Sequence, residues 1–157
     1  MDCFTTEAKE QPVEITPVTR ESFSDWLASQ SGQLANWVKK TGFFADPGKF
    51  LILPPKDGDE PLGALLGTAG KNDIWSWGNA AENLASATYS IGGKPDGTNL
   101  ANATLGWALG SYTFDRYRPS KKPISKLAVA ASPTLTATSN TAKAVYLTRD
   151  LINTPPS

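Results

Sequence analysis

Asp57, Asp59 and Glu60 crowd into the stretch KDGDEP, and clustered carboxylates are what a hard divalent cation binds. Their spacing lacks the ordered ladder of oxygen ligands of a cation loop. The Pro and Gly around them signal a turn, so the segment reads as a solvated hairpin tip. A second set is basic. Arg116, Arg118, Lys121 and Lys122 form a run interleaved with Tyr112, Phe114 and Tyr117. Cations interleaved with aromatic rings can hold single-stranded nucleic acid. They equally mark a helix C-terminus, where the macrodipole favours positive charge. Lys+Arg and Asp+Glu both number 15, so no basic footprint supports the nucleic-acid reading.

Other chemistries fail on residue type. The chain has no histidine, which removes His-based triads and His-ligated zinc. A lone Cys3 forms neither an internal disulfide nor a thiolate cluster, and fits a reducing compartment. GALLGTAGK approaches a phosphate loop without its spacing or its final Ser/Thr. GNAAEN is similar to the Asn-Ala-Ala-Asn stretch of macrodomains that bind ADP-ribose, with Glu82 interrupting it. The competing reading is a helix start capped by Asn79. The first residues lack a signal-peptide pattern, and no apolar run approaches the ~20 residues of a membrane span. A cytoplasmic domain is expected, with no catalytic, cofactor-binding or metal-ligating residue assigned within it.

The elements that must position these residues alternate in type. Residues 1–12 are polar and read as a loose tail. VEITPV reads as an edge strand, because Pro17 cannot donate to a ladder. Ser22 and Asp25 stand at capping-box spacing before a helical pattern that Gly32 divides in two. KFLILPP and LGALLGTAG form a predicted hairpin around KDGDEP. A short helix near Ala80–Leu84, a strand over Thr88–Ile91 and a long helix from Asn99 follow. On that long helix Leu105, Leu109 and Tyr112 share a face beside Trp107, Gly110 and Phe114, and Trp107, Leu109 and Tyr112 are expected to be largely buried. SKLAVAAS is a last strand. Thr141–Asn153 is a final helix that docks through Val145, Thr148 and Ile152, with Arg149 and Asn153 facing outward, before Pro155 and Pro156 stop it. The order argues for a single α/β domain, a mixed sheet flanked by helices.

Two segments then carry a resemblance. Gly106, Trp107, Leu109, Gly110, Tyr112, Phe114 and Tyr117 fit a Gly-Trp-x-Leu-Gly-x-Tyr-x-Phe-x-x-Tyr pattern. Arg149, Asp150, Leu151, Ile152, Asn153, Thr154 and Pro155 fit Arg-Asp-Leu-(Val/Ile)-Asn-Thr-Pro in the right order and separation. Together with WVKKTGFFADPGKFLILP, they make the chain similar to the N-terminal part of the leucyl (cytosol) aminopeptidase family from about Val13 to Pro155. The family's Asn-Thr-Asp-Ala-Glu-Gly-Arg motif does not occur here, and Pro156–Ser157 replaces the usual Ala-Asn.

The resemblance implies a macrodomain-like fold over 13–140, followed by a helix and hinge over 141–157 that leads to a catalytic domain lying outside this sequence. Arg149, Asp150 and Asn153 are the implied inter-domain hinge residues. The parent is then a metallo-aminopeptidase using two divalent ions, zinc or manganese. It acts on peptides and assembles as a homo-oligomer, a hexamer by resemblance, while this chain alone is inactive. The alternative is a stand-alone module binding a nucleotide, ADP-ribose or DNA. No membrane partner is expected.

Overall fold

Gly63–Gly67 is an unbroken apolar run, and every residue of it is buried. Such a strand belongs in the middle of a sheet covered on both faces. The computed structural model describes residues 1–8, 10–55, 63–93, 95–117 and 124–155. Its strands are β1 (Phe4–Thr5), β2 (Val13–Val18), β3 (Phe50–Leu53), β4 (Gly63–Gly67), β5 (Thr88–Ile91) and β6 (Lys126–Ala128). Its helices are α1 (Arg20–Ala28), α2 (Gly32–Thr41), α3 (Trp75–Asn83), α4 (Gly97–Gly110) and α5 (Pro133–Asn153). The strands form one mixed sheet in the order β1-β6-β5-β2-β4-β3. Only β3 runs antiparallel to its neighbour, with Phe50 opposite Leu66 and Leu53 opposite Gly63, which is the hairpin the sequence predicts.

Side-chain alternation divides the core. Ala64 and Leu66 pack with Ile15, Trp77, Tyr89, Trp107 and Leu127 on the face covered by α3, α4 and α5. Leu65, between them, packs with Val18, Val38 and Phe43 on the face covered by α1 and α2. The period of two along β4 therefore feeds two separate apolar clusters.

The structure moves several expected boundaries. β2 lies inside the sheet, between β5 and β4, although it contains Pro17. Its pairing to β5 covers only Val13 to Ile15, with Gly92 N–H donating to the Ile15 carbonyl at 2.7 Å. The backbone of residue 17 points to that same side, past the end of the ladder, so the missing N–H interrupts no bond. The N-terminal segment is not loose throughout: β1 pairs parallel with β6, and Cys3 is buried. Burial pushes the Cys3 thiol up to about 11, which keeps it protonated at neutral pH.

Helix starts also shift. Thr19, not Ser22, caps α1: its hydroxyl accepts from Ser22 N–H at 3.2 Å, and the Ser22 hydroxyl accepts from Thr19 N–H at 3.0 Å. Gly32 does divide two helices, with Ser31 capping the second. α3 begins at Trp75, which leaves Asn79 inside the helix instead of at its cap. α4 ends at Gly110, so Tyr112 and Phe114 lie beyond it and share no helical face with Leu105 and Leu109. Trp107 is fully buried, whereas Leu109 and Tyr112 are only partly so. α5 starts at Pro133, eight residues (141 − 133) before its expected start, with Ser132 as its cap.

Asp73 secures the start of α3. Its carboxylate accepts from Ala69 N–H at 2.7 Å, from Ser76 N–H at 2.9 Å and from the Ser76 hydroxyl. Partial burial alone would raise its pKa, but these bonds outweigh it and hold the carboxyl below its usual value. A folded pKa below the unfolded value of about 3.9 means stability present above that pH and lost as pH falls through the folded pKa. Asp73→Ala is expected to cost about 1–2 kcal/mol at pH 7, in the range of a lost helix cap. The gap to wild type should narrow below about pH 4 in urea titrations run at several pH values. A gap that stays constant down to pH 2 would show that the carboxylate charge is not what holds this turn.

Candidate functional site

The C-terminal end of α4 meets the C-terminal half of α5, and the sequence-marked residues gather there. Tyr112, just past α4, donates its hydroxyl to Asp150 Oδ1 at 2.7 Å. Asn153 Nδ2 donates to the same phenol oxygen at 3.3 Å. Arg149 donates from Nη1 to the Leu109 carbonyl at 3.1 Å, and its guanidinium carbon lies 5.1 Å from the centre of the Tyr112 ring. One side chain thus satisfies an orphan carbonyl at a helix end and stacks a cation on an aromatic face. Arg116 Nη1 reaches the Thr154 hydroxyl at 3.0 Å, and that hydroxyl donates to the Asp150 carbonyl at 2.6 Å.

Tyr146, which sequence reasoning passed over, completes the junction. Its ring meets that of Tyr112 edge-on at 4.9 Å, and its hydroxyl donates to the Ala108 carbonyl. Its position three residues before Arg149, on the same helical face, was the available signal. Burial, first, raises the Tyr146 phenol pKa. Desolvation and the bond to Asp150 raise that of Tyr112, so both stay protonated at neutral pH.

The docking face of α5 lies beside the expected one, and Val145 belongs to both. The buried positions are Thr138 and Ala142, and Arg149 continues their face toward α4. Of the residues expected to dock, Val145 is partly buried, Thr148 is exposed, and Ile152 is 77% exposed. Periodicity alone could not choose the face. Arg149, expected to face the absent catalytic domain, is held by a helix-end carbonyl and a ring of its own domain.

Beside the junction lies a cavity of about 530 Å³ between α3, α4 and α5, lined by Trp75, Asn79, Glu82, Tyr112 and Arg149 among others. It brings together hydrogen-bond donors, the exposed indole of Trp75 and the protonated phenol of Tyr112.

The remaining candidates are structural. Leu65 and Leu66 of GALLGTAGK are core residues, and a Cβ on Gly67 would stand 2.2 Å from the Asp46 carbonyl oxygen. Glycine at 67 thus serves close backbone approach. In GNAAEN, Asn79 donates to the Gly48 carbonyl, and Asn83 donates to Asn79. At the N-terminus of α4, where a phosphate would sit, the Asp96 carboxylate already accepts from Asn99 N–H at 2.8 Å and lies 3.6 Å from the Lys71 ammonium. Asp57, Asp59, Glu60, Arg118, Lys121, Lys122 and Pro156 lie outside the described residues. Among the described residues no group of three or more Cys, Asp or Glu side chains could hold a metal ion. No described helix is long and apolar enough to cross a membrane.

A mixed six-stranded sheet with helices on both faces defines a single α/β domain. The family model for the M17 aminopeptidase N-terminal domain matches residues 13–130, and the chain belongs to that family. Its structure is similar to the cytosol aminopeptidase of Coxiella burnetii, with a TM-score of 0.86 and 29% identity over 99% of this chain and 34% of that one. The bottromycin maturation enzyme BotP in complex with Mn shares the fold at TM-score 0.64 and 22% identity, covering 91% of this chain and 32% of that one. Tomato leucine aminopeptidase shares it at TM-score 0.65 and 15% identity, over 97% and 37% of the respective chains. This chain therefore spans about a third of the length of these enzymes. No curated protein matches. The likeness to an aminopeptidase N-terminal domain bears out the family resemblance, while the stand-alone nucleotide-binding alternative finds no support.

Proposed function

We propose that this domain works as the non-catalytic N-terminal part of a two-metal leucyl aminopeptidase that releases N-terminal residues from peptides in the cytoplasm. The match of the N-terminal-domain model over residues 13–130 carries the reading. In such an enzyme, paired divalent ions, zinc or manganese, polarise the scissile carbonyl and activate the attacking water. Among the described residues there is no ligand set for them, and the domain's contribution is to shape and to assembly. The parent acts as a homo-oligomer, a hexamer by family resemblance. Arg149, Asp150 and Asn153 act as hinge residues: by tying the end of α5 to Tyr112 and Leu109, they set the direction in which the chain leaves the domain.

The purified 157-residue chain is expected to release no product from leucyl anilide, with or without excess manganese or zinc. Turnover that co-elutes with the domain through size exclusion would overturn the reading.

A further inference from the structure

The parallel strands at the middle of the sheet end in a crevice. From the C-terminal end of β2 the chain turns to α1 and α2 on one face, and from that of β5 it turns to α4 on the other. β2 and β5 are parallel neighbours, so the two connections part where the strands stop. Open α/β sheets hold small ligands at this kind of switch point. A cavity of about 300 Å³ lies there, walled by Pro17, Ile91 and Pro95 and lined further by Trp77, Lys71 and Asn99. It shares no lining residue with the cavity beside Arg149.

Trp77 supplies the group that points to a ligand. It is only 6% exposed, yet its indole N–H has no hydrogen-bond partner among the described residues. A buried tryptophan usually finds one, as Trp107 does in the Ser125 carbonyl. No fully buried side-chain nitrogen of the described residues lacks a partner, so the Trp77 N–H is not sealed in the core and reaches the open space its ring borders. Lys71 adds an ammonium that stands 3.6 Å from Asp96 and carries three N–H donors. Among the described residues of the lining there are donors and apolar walls but no carboxylate. We infer that the crevice between the ends of β2 and β5 binds a small organic carboxylate. Its oxygens accept from the Trp77 indole and the Lys71 ammonium, and its short apolar body packs on Pro17, Ile91 and Pro95. A volume of about 300 Å³ is at the lower end for ligand pockets and suits a molecule of a few carbons. The site belongs to the domain itself, so the inference goes beyond the accessory-domain reading and does not depend on it.

The probe is isocaproate, titrated into the isotope-labelled chain and followed by magnetic resonance through the indole N–H signals of its five tryptophans. The Trp77 signal, assigned by its loss in Trp77→Phe, is expected to shift saturably at millimolar concentration. The Trp107 signal, already bonded to Ser125, should stay where it is. Lys71→Gln is expected to bind at least tenfold more weakly while keeping the wild-type melting temperature, because the Lys71 side chain is 76% exposed. Isocaproamide, which keeps the apolar body and loses the charge, should also bind at least tenfold more weakly than the acid. Trp75→Phe, on the other cavity, should change affinity less than twofold. A Trp77 signal that does not move would overturn the site. Equal binding of the amide, or wild-type affinity in Lys71→Gln, would overturn the carboxylate as its ligand. Inorganic phosphate that shifts the Trp77 signal at the same concentration would show a general anion site and likewise overturn the proposal.

Discussion

Trp107→Ala is expected to cost about 3–5 kcal/mol of folding stability, the range for truncating a large buried aromatic. Trp107 is fully buried at the centre of the α4 face turned to the sheet. Its ring lies 5.7 Å from that of Tyr89 on β5, and its indole N–H donates to the Ser125 carbonyl at 3.4 Å. Truncation therefore opens a void beneath three elements and leaves a buried carbonyl without its donor, and the two losses act together. Trp107→Phe should lose less, because most of the volume remains. Urea melts followed by far-ultraviolet circular dichroism separate the cases. A shift below 1 kcal/mol for the alanine variant would mean that α4 does not carry this core.

The second large effect is expected from adding a single carbon. A Cβ on Gly106 would stand 2.1 Å from the Ile74 carbonyl oxygen, and one on Gly110 would stand 2.0 Å from the Gly78 carbonyl oxygen. Both obstacles are backbone, so neither can swing aside; α3 and α4 would have to separate. Overpacking of this kind costs about 1–3 kcal/mol and occasionally more. Alanine gains about 1 kcal/mol over glycine in a helix interior, so the opposing terms can be weighed directly. Gly106→Ala and Gly110→Ala are expected to destabilise by at least about 2 kcal/mol each, toward the upper end of the overpacking range. Gly32→Ala is the control. Nothing lies within 4 Å of its added carbon, and it should be neutral or stabilising by up to about 1 kcal/mol. If the Gly106 and Gly110 variants were stabilised like the control, the close α3–α4 crossing would be wrong.

Much of this was legible beforehand because it depends on local chemistry. Turn signals and an apolar run made the hairpin of β3 and β4 readable, and Thr88–Ile91 falls on β5 as predicted. The paired motifs, seven residues around Trp107 and seven around Asp150, pointed to the aminopeptidase N-terminal domain to which the chain belongs. What the sequence could not decide was which partner each residue meets. Pro17 looked like an edge-strand residue, yet β2 is internal, because the ladder on one side stops before it. Asn79 looked like a cap, whereas it sits inside α3 and reaches the Gly48 carbonyl across the fold.

The same limit governs α5. Helical spacing announces two faces, one with Val145, Thr148 and Ile152, the other with Ala142 and Arg149, and by residue type the first should be buried. The fold turns the second toward α4, burying Ala142 and half-burying Arg149, with Val145 half-buried beside them. Tyr112, released from α4 at Gly110, offers Arg149 a ring, and the end of α4 offers it a free carbonyl, so the arginine is satisfied against the domain. The hydrophobic period of a sequence is a local quantity and determines that a helix forms. Which face turns inward depends on groups brought up from 40 residues away, and only the tertiary structure brings them.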